Sequence, residues 1–266
     1  MTAMITTATH WVNEYGSTMD LWQAGDGAIL GVYKSSTGST GTYLVVGWAA
    51  GAAPSAQLGQ AVSLSIFWRS LEGGTGDASW HWVSGLGGQH LLGTGGQPDT
   101  MPLNHALVAT TEFVGLAGPG TYIDKLLYRA QGAPPSDLAA PEFAGKGAGT
   151  DPVNGVWQCR EQPDLRLKLQ VTDTQYGFVE GAVIQAGGSR PIRGLTDTYA
   201  QAAGVALQGL SVTAPIDDAG RTLSLSGSLN RRDGVLTLTA FTSQGTAPGN
   251  TYLQTTLGAL SFRKVA

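Results

Sequence analysis

The sequence predicts an all-β chain of two antiparallel halves, each a sandwich or a barrel. Three observations carry this. Apolar and polar residues alternate at period two, a Pro/Gly/Ala-rich stretch divides the chain, and the halves share short matching segments. Convincing amphipathic-helix periodicity is missing, and only 199–207 is ambiguous between helix and strand.

The alternation is clearest in the second half. There Leu165, Leu167, Leu169 and Val171 alternate with Arg166, Lys168 and Gln170, and Leu223 and Leu225 flank Ser224. In the first half Leu64 and Ile66 alternate with Ser63 and Ser65, just before Phe67 and Trp68. Successive strand residues point to opposite faces, so each run offers one face to a core and the other to solvent or a lumen. The 39 glycines suit the many tight turns that short strands need. Residues 131–153 carry Gly132, Pro134, Pro135, Pro141, Gly147 and Pro152, a linker composition, which leaves domains at 1–130 and 154–266. Gly59–Trp68 overlays Gly204–Thr213, Gly31–Tyr33 overlays Gly181–Val183, and Gly120–Ile123 overlays Asn250–Leu253. Such a pattern indicates an internal duplication.

Composition excludes several classes. A net charge of −4 and a pI near 5.5 leave no basic stripe, so nucleic acid is not an expected partner. Asn230-Arg-Arg-Asp-Gly234 reads as a solvated hairpin turn. The single Cys159 allows neither an intrachain disulfide nor a cysteine metal cluster. No run approaches the roughly 18 apolar residues of a spanning helix, so no membrane partner is expected. With no signal segment at Met1–His10, a cytoplasmic location is expected, although a secreted mature form would read the same way. His10, His81, His90 and His105 lack metal-ligand spacing, the glycine clusters at 85–88 and 93–96 lack a following Lys-Ser/Thr, and no Gly-x-Ser-x-Gly elbow occurs. Neither metal nor cofactor is implied.

Trp11-Val-Asn-Glu-Tyr-Gly-Ser17, then Gly31-Val-Tyr-Lys-Ser35, then Gly59 to Trp68 resemble the first, second and a middle strand of the avidin/streptavidin family. The C-terminal run Phe241–Gly245, Asn250–Leu253 and Ser261–Val265 is similar to that family's last two strands. The resemblance implies two tandem antiparallel up-and-down barrels, packed as a pseudo-dimer and open to a further homodimer. It implies a pocket in the first barrel where Asn13, Ser17 and Tyr33 grip the ureido oxygen of biotin, with Ser35 beside them and Trp68 as a wall. These are neutral hydrogen-bond donors; converging on one point, they would hold a carbonyl oxygen. On the expected strand 77–85 the alignment makes Ser79 and His81 ligand-facing, whereas a shift of one residue substitutes Trp80 and Trp82. The tryptophan that a neighbouring subunit lends in the family corresponds to Tyr122 and Tyr252. The family's aspartate acceptor on the last strand meets Leu260 in the second half and Asp124 in the first. Trp157 keeps the place of Trp11, but Cys159, Pro163, Val183, Gln185 and Thr213 replace Asn13, Ser17, Tyr33, Ser35 and Trp68, so the second site is degenerate.

The resulting expectation is a small-molecule binding protein holding a biotin-like cyclic or carbonyl-bearing ligand. An alternative is a cofactor-free cyclase or isomerase that uses the donors as an oxyanion site, with His81, Asp124 or Glu112 as base. A third reading is a carbohydrate-binding or toxin-like module using exposed Trp80 and Trp82. A titratable group pointing into the first lumen would favour the enzyme.

Overall fold

The computed structural model describes residues 5–37, 39–72, 76–135, 150–250, 252 and 254–265. Most of the expected linker, 136–149, lies outside the described residues, as do 251 and 253 of one repeat segment.

Strands β1 (Ile5–Asn13), β2 (Thr18–Ala24), β3 (Ala28–Ser35), β4 (Gly41–Ala50), β5 (Gln60–Phe67), β6 (Trp82–His90), β7 (Thr100–Ala109) and β8 (Gly120–Ala130) form one closed antiparallel barrel in sequence order. Pairing of Trp11 with Ala130 and of Asn13 with Tyr128 closes it. The second closed barrel comprises β9 (Gly155–Cys159), β10 (Arg166–Asp173), β11 (Phe178–Gln185), β12 (Gly188–Thr196), β13 (Leu207–Pro215), β14 (Thr222–Asn230), β15 (Val235–Ser243) and β16 (Thr255–Val265). There β9 lies between β10 and β16. Asn230–Gly234 is the hairpin turn its composition predicts, with Gly234 at φ +68°. The ambiguous piece 199–207 forms turns that lead into β13, with no α-helix.

Alternation explains the cores. Leu64 and Ile66 point into the first lumen, and Leu167, Leu169 and Val171 into the second. The serines that alternate with Leu64 and Ile66 are buried too, because their face meets the other barrel and not solvent. Strands β4, β5 and β6 pack on β12, β13, β14 and β15. Leu44, Val46, Phe67 and Val83 of the first barrel share an apolar cluster with Phe178 and Leu195 of the second.

The rest of this seam is small and polar. A Cβ on Gly85 would come within 2.7 Å of the Ser226 Cβ. Ser65 Oγ donates to the Ser211 carbonyl at 2.8 Å, and Gln89 Nε2 donates to Thr246 and Gln254, both at 2.9 Å. The Ser63, Ser211, Ser224 and Ser226 hydroxyls are buried there without hydrogen-bond partners.

One expected element is different. The strand predicted over 77–85 begins only at Trp82, because Ala78–His81 is a 3-10 turn. Asp77 causes this: its side chain accepts the Ser79 N–H and caps the turn, a local bond that competes with strand pairing.

Candidate functional site

Barrel closure brings β1 and β8 together at one end of the first lumen. Asn13, 7 % exposed, uses its Oδ1 to accept the N–H groups of Tyr15 (3.0 Å) and Ser17 (2.9 Å), which shapes the β1–β2 turn. The amide NH2 is the end left for the lumen, where Tyr128 and Tyr33 stand. Tyr128 is 0 % exposed. Burial raises its phenol well above the ordinary value, the Tyr33 hydroxyl adds to this, and the Asn13 amide works against it. Asn13 and Tyr33 stand close enough to act on the phenol as hydrogen-bonding neighbours, yet among the described residues none meets Tyr128 Oη with full hydrogen-bond geometry.

Aromatic rings line the middle of the lumen. Tyr33 and Tyr43 lie 6.4 Å apart between centroids, and Trp68 packs on them at 5.8 Å and 5.1 Å. A hydrogen-bonded chain runs from Asp77 through Ser79 and Ser39 to the Tyr43 hydroxyl, with 2.7 Å between the two serine oxygens and 3.1 Å to Tyr43. Burial pushes the Tyr43 phenol up, and the Ser39 hydrogen bond offsets part of this.

On the far wall Trp68 Nε1 donates to Ser84 Oγ at 2.8 Å, and His105 Nε2 meets the same oxygen at 2.8 Å. Burial lowers the His105 pKa to about 4 against the opposing pull of the Asp124 carboxylate, its cross-strand partner, so the imidazole is neutral near pH 7.

The residues expected at the site divide into two sets. Asn13, Tyr33 and Trp68 meet in the lumen, and Ser79 stands behind Tyr43. Ser17, buried and on the strand face of Met19, accepts through Oγ from Ser36 N at 3.3 Å, and the half-buried Ser35 donates its Oγ to the Thr37 carbonyl at 2.8 Å. Tyr122 packs at the edge of the core, its hydroxyl donating to the Gly118 carbonyl.

Two of the three proposed bases lie off the lumen face. His81 turns to the seam, where Nδ1 meets Asp197 Oδ2 at 2.7 Å, because the 3-10 turn takes it off the strand. Glu112 is exposed in the loop after β7, whereas Asp124, also exposed, shares the inward strand face with its cross-strand partner His105.

Trp82 is buried in the first core and Trp80 lies against Arg69, so the paired exposed tryptophans of the third reading do not exist. Tyr252 is 99 % exposed. In the second barrel Val183 and Cys159 are core residues and Trp157 Nε1 donates to the Val153 carbonyl at 2.8 Å, while Pro163 and Gln185 are exposed. Thr213 is not the counterpart of Trp68: it lies on the seam face of β13, between the core residues Val212 and Ala214.

Sequence reasoning missed Tyr43, Ser84, His105 and Tyr128. Parity was the available signal: Met101 and Leu103 are inward, so His105 is too, and Leu126 sets the same face for Tyr128. The family model for the Avidin family matches residues 1–95, which contain β1 to β6. No curated protein matches the chain. With that match on the first six strands, and two closed eight-stranded antiparallel barrels in one polypeptide, this is an avidin-like, tandem-barrel protein.

Proposed function

We propose that the first barrel binds a small, neutral, carbonyl-bearing ligand of biotin-like character at the Asn13–Tyr33–Tyr128 end of its lumen. The observation that carries this is the fully buried, unpartnered Tyr128 hydroxyl beside two other neutral hydrogen-bonding groups. An unsatisfied buried polar group costs about 1–3 kcal/mol, which a ligand carbonyl would recover. Tyr128 also stands across from Asn13 where the last strand of the barrel pairs with the first. A neutral phenol both donates and accepts, so it suits a ureido or lactam group better than a carboxylate. The match of β1 to β6 to the Avidin family supports the same class of ligand. The packed rings of Tyr33, Tyr43 and Trp68 restrict the ligand to a small one or to one that displaces a ring.

The test is calorimetric titration of the whole protein with biotin and with simple cyclic ureas and lactams, alongside Tyr128→Phe and Tyr33→Phe. Saturable heat that falls about tenfold or more in affinity in each variant is expected. If none of these compounds gives heat, or if binding survives both substitutions, this pocket is not the site.

A second reading, cofactor-free enolisation or ring closure, rests on His105, which takes the place of His81 and Glu112 as a titratable group on the lumen wall, with the exposed Asp124 across from it. The His105 pKa of about 4 makes it a weak base. Binding is therefore the better-supported reading.

A further inference from the structure

Outside the lumen, Arg69 at the mouth of the seam is the one cation among the described residues that packs on two aromatic rings. Arg69 lies two residues past the end of β5, and its guanidinium carbon lies 3.3 Å from the ring centroid of Tyr199 in the second barrel and 4.5 Å from that of Trp80 in the first. One aromatic ring from each barrel thus packs on the guanidinium. Arg69 also lines a cleft of about 150 Å³ with Leu44, Phe67, Leu71, Trp80 and Tyr176.

Among the described residues no carboxylate and no hydrogen-bond acceptor meets this guanidinium. The neighbouring carboxylates are engaged elsewhere: Glu72 accepts from Thr42 at 2.6 Å, Asp77 holds Ser79, and Asp197 holds His81.

Stacked rings use a guanidinium's π-faces and leave its N–H groups at the edge, in a rigid fork that matches a carboxylate. Partial burial removes water that would otherwise screen the charge, and strengthens any charge-assisted bond made there. The cleft's walls mix the apolar Leu44, Phe67 and Leu71 with the polar Ser70 and Gln175, and its volume is below the roughly 300–1,000 Å³ of ordinary ligand sites. A small body with one anionic end fits this arrangement.

We propose that the inter-barrel cleft is a second ligand site, independent of the lumen, which binds a small monocarboxylate. The carboxylate pairs with the edge of Arg69, and the apolar body lies against Leu44, Phe67 and Leu71. Because the cleft takes walls from both barrels, occupancy also stabilises their association.

Benzoate, with benzamide as its neutral isostere and inorganic phosphate as an anion without an apolar body, tests this on the whole protein by calorimetry and thermal unfolding. Saturable benzoate binding with a raised Tm is expected, with benzamide and phosphate each weaker by about tenfold or more. Arg69→Lys keeps a cation but loses the fork, and is expected to weaken benzoate to a similar extent, as is Arg69→Gln. Tyr33→Phe in the lumen leaves benzoate binding unchanged if the two sites are independent. Equal binding of benzamide or phosphate, benzoate affinity that survives both Arg69 variants, loss of binding in Tyr33→Phe, or no benzoate binding by the wild-type protein overturns the proposal. Comparing the three ligands on the wild-type protein decides the matter even if an Arg69 variant does not fold.

Discussion

An imidazole that resists protonation down to about pH 4 ties stability to acidity through a single residue. His105 titrates near 6.5 once unfolded, so between pH 6.5 and 4 the unfolded chain binds a proton that the folded chain refuses. Stability from this group is complete above about pH 6.5, falls as pH drops to about 4, and is then level. The depression corresponds to about 3 kcal/mol. His105→Gln, followed by urea unfolding across that window, is expected to flatten this limb; an unchanged slope would show that His105 is not the group responsible. Residue-level legibility was uneven for a physical reason. Asn13, Tyr33 and Trp68 stand in motifs that the strands repeat, whereas Tyr128 and His105 lie on strands where Asp124 and Asn104 interrupt the apolar pattern. Only inward parity identifies those two.

The β1–β2 hairpin shows how one element serves both shape and chemistry. Asn13 divides its amide: the oxygen shapes the turn through two backbone N–H groups, and the nitrogen is left for the lumen. Asn13→Ala therefore lowers stability by about 1–2 kcal/mol as well as impairing ligand binding. Asn13→Asp keeps the acceptor for the turn and exchanges the amide donor for a carboxylate oxygen. Its loss of Tm is expected to be smaller than that of Ala, with ligand binding weakened in both. Equal Tm losses would mean the turn does not depend on Oδ1. The strands themselves were legible from alternation, since period two is the strand's own geometry. The 3-10 turn at Ala78–His81 was not, because a single Asp77 cap outweighed strand pairing and removed His81 from the face on which the family alignment had put it.

For the molecule as a whole, two barrels per chain could be read from the duplication, but the character of the seam could not. Ser63, Ser65, Ser224 and Ser226 look like ordinary solvent-facing positions until a second curved sheet covers them. Gly85→Val drives a side chain into Ser226 and is expected to destabilise the protein by about 1–3 kcal/mol. Ser226→Ala, which removes an unpartnered buried hydroxyl, is expected to raise stability by about 1 kcal/mol. Thermal unfolding distinguishes the two signs, and no change in either would mean that the barrels are not held at this face. The seam also has a meaning for inheritance. In an assembly of identical subunits every substitution appears in all pockets at once, so a change that improves one contact can ruin its symmetry mate. Covalent fusion breaks that tie, and dilution cannot part the halves. One barrel could then fill its lumen with Leu, Val and Cys159 and act solely as a partner, while the other kept its tyrosines and tryptophan.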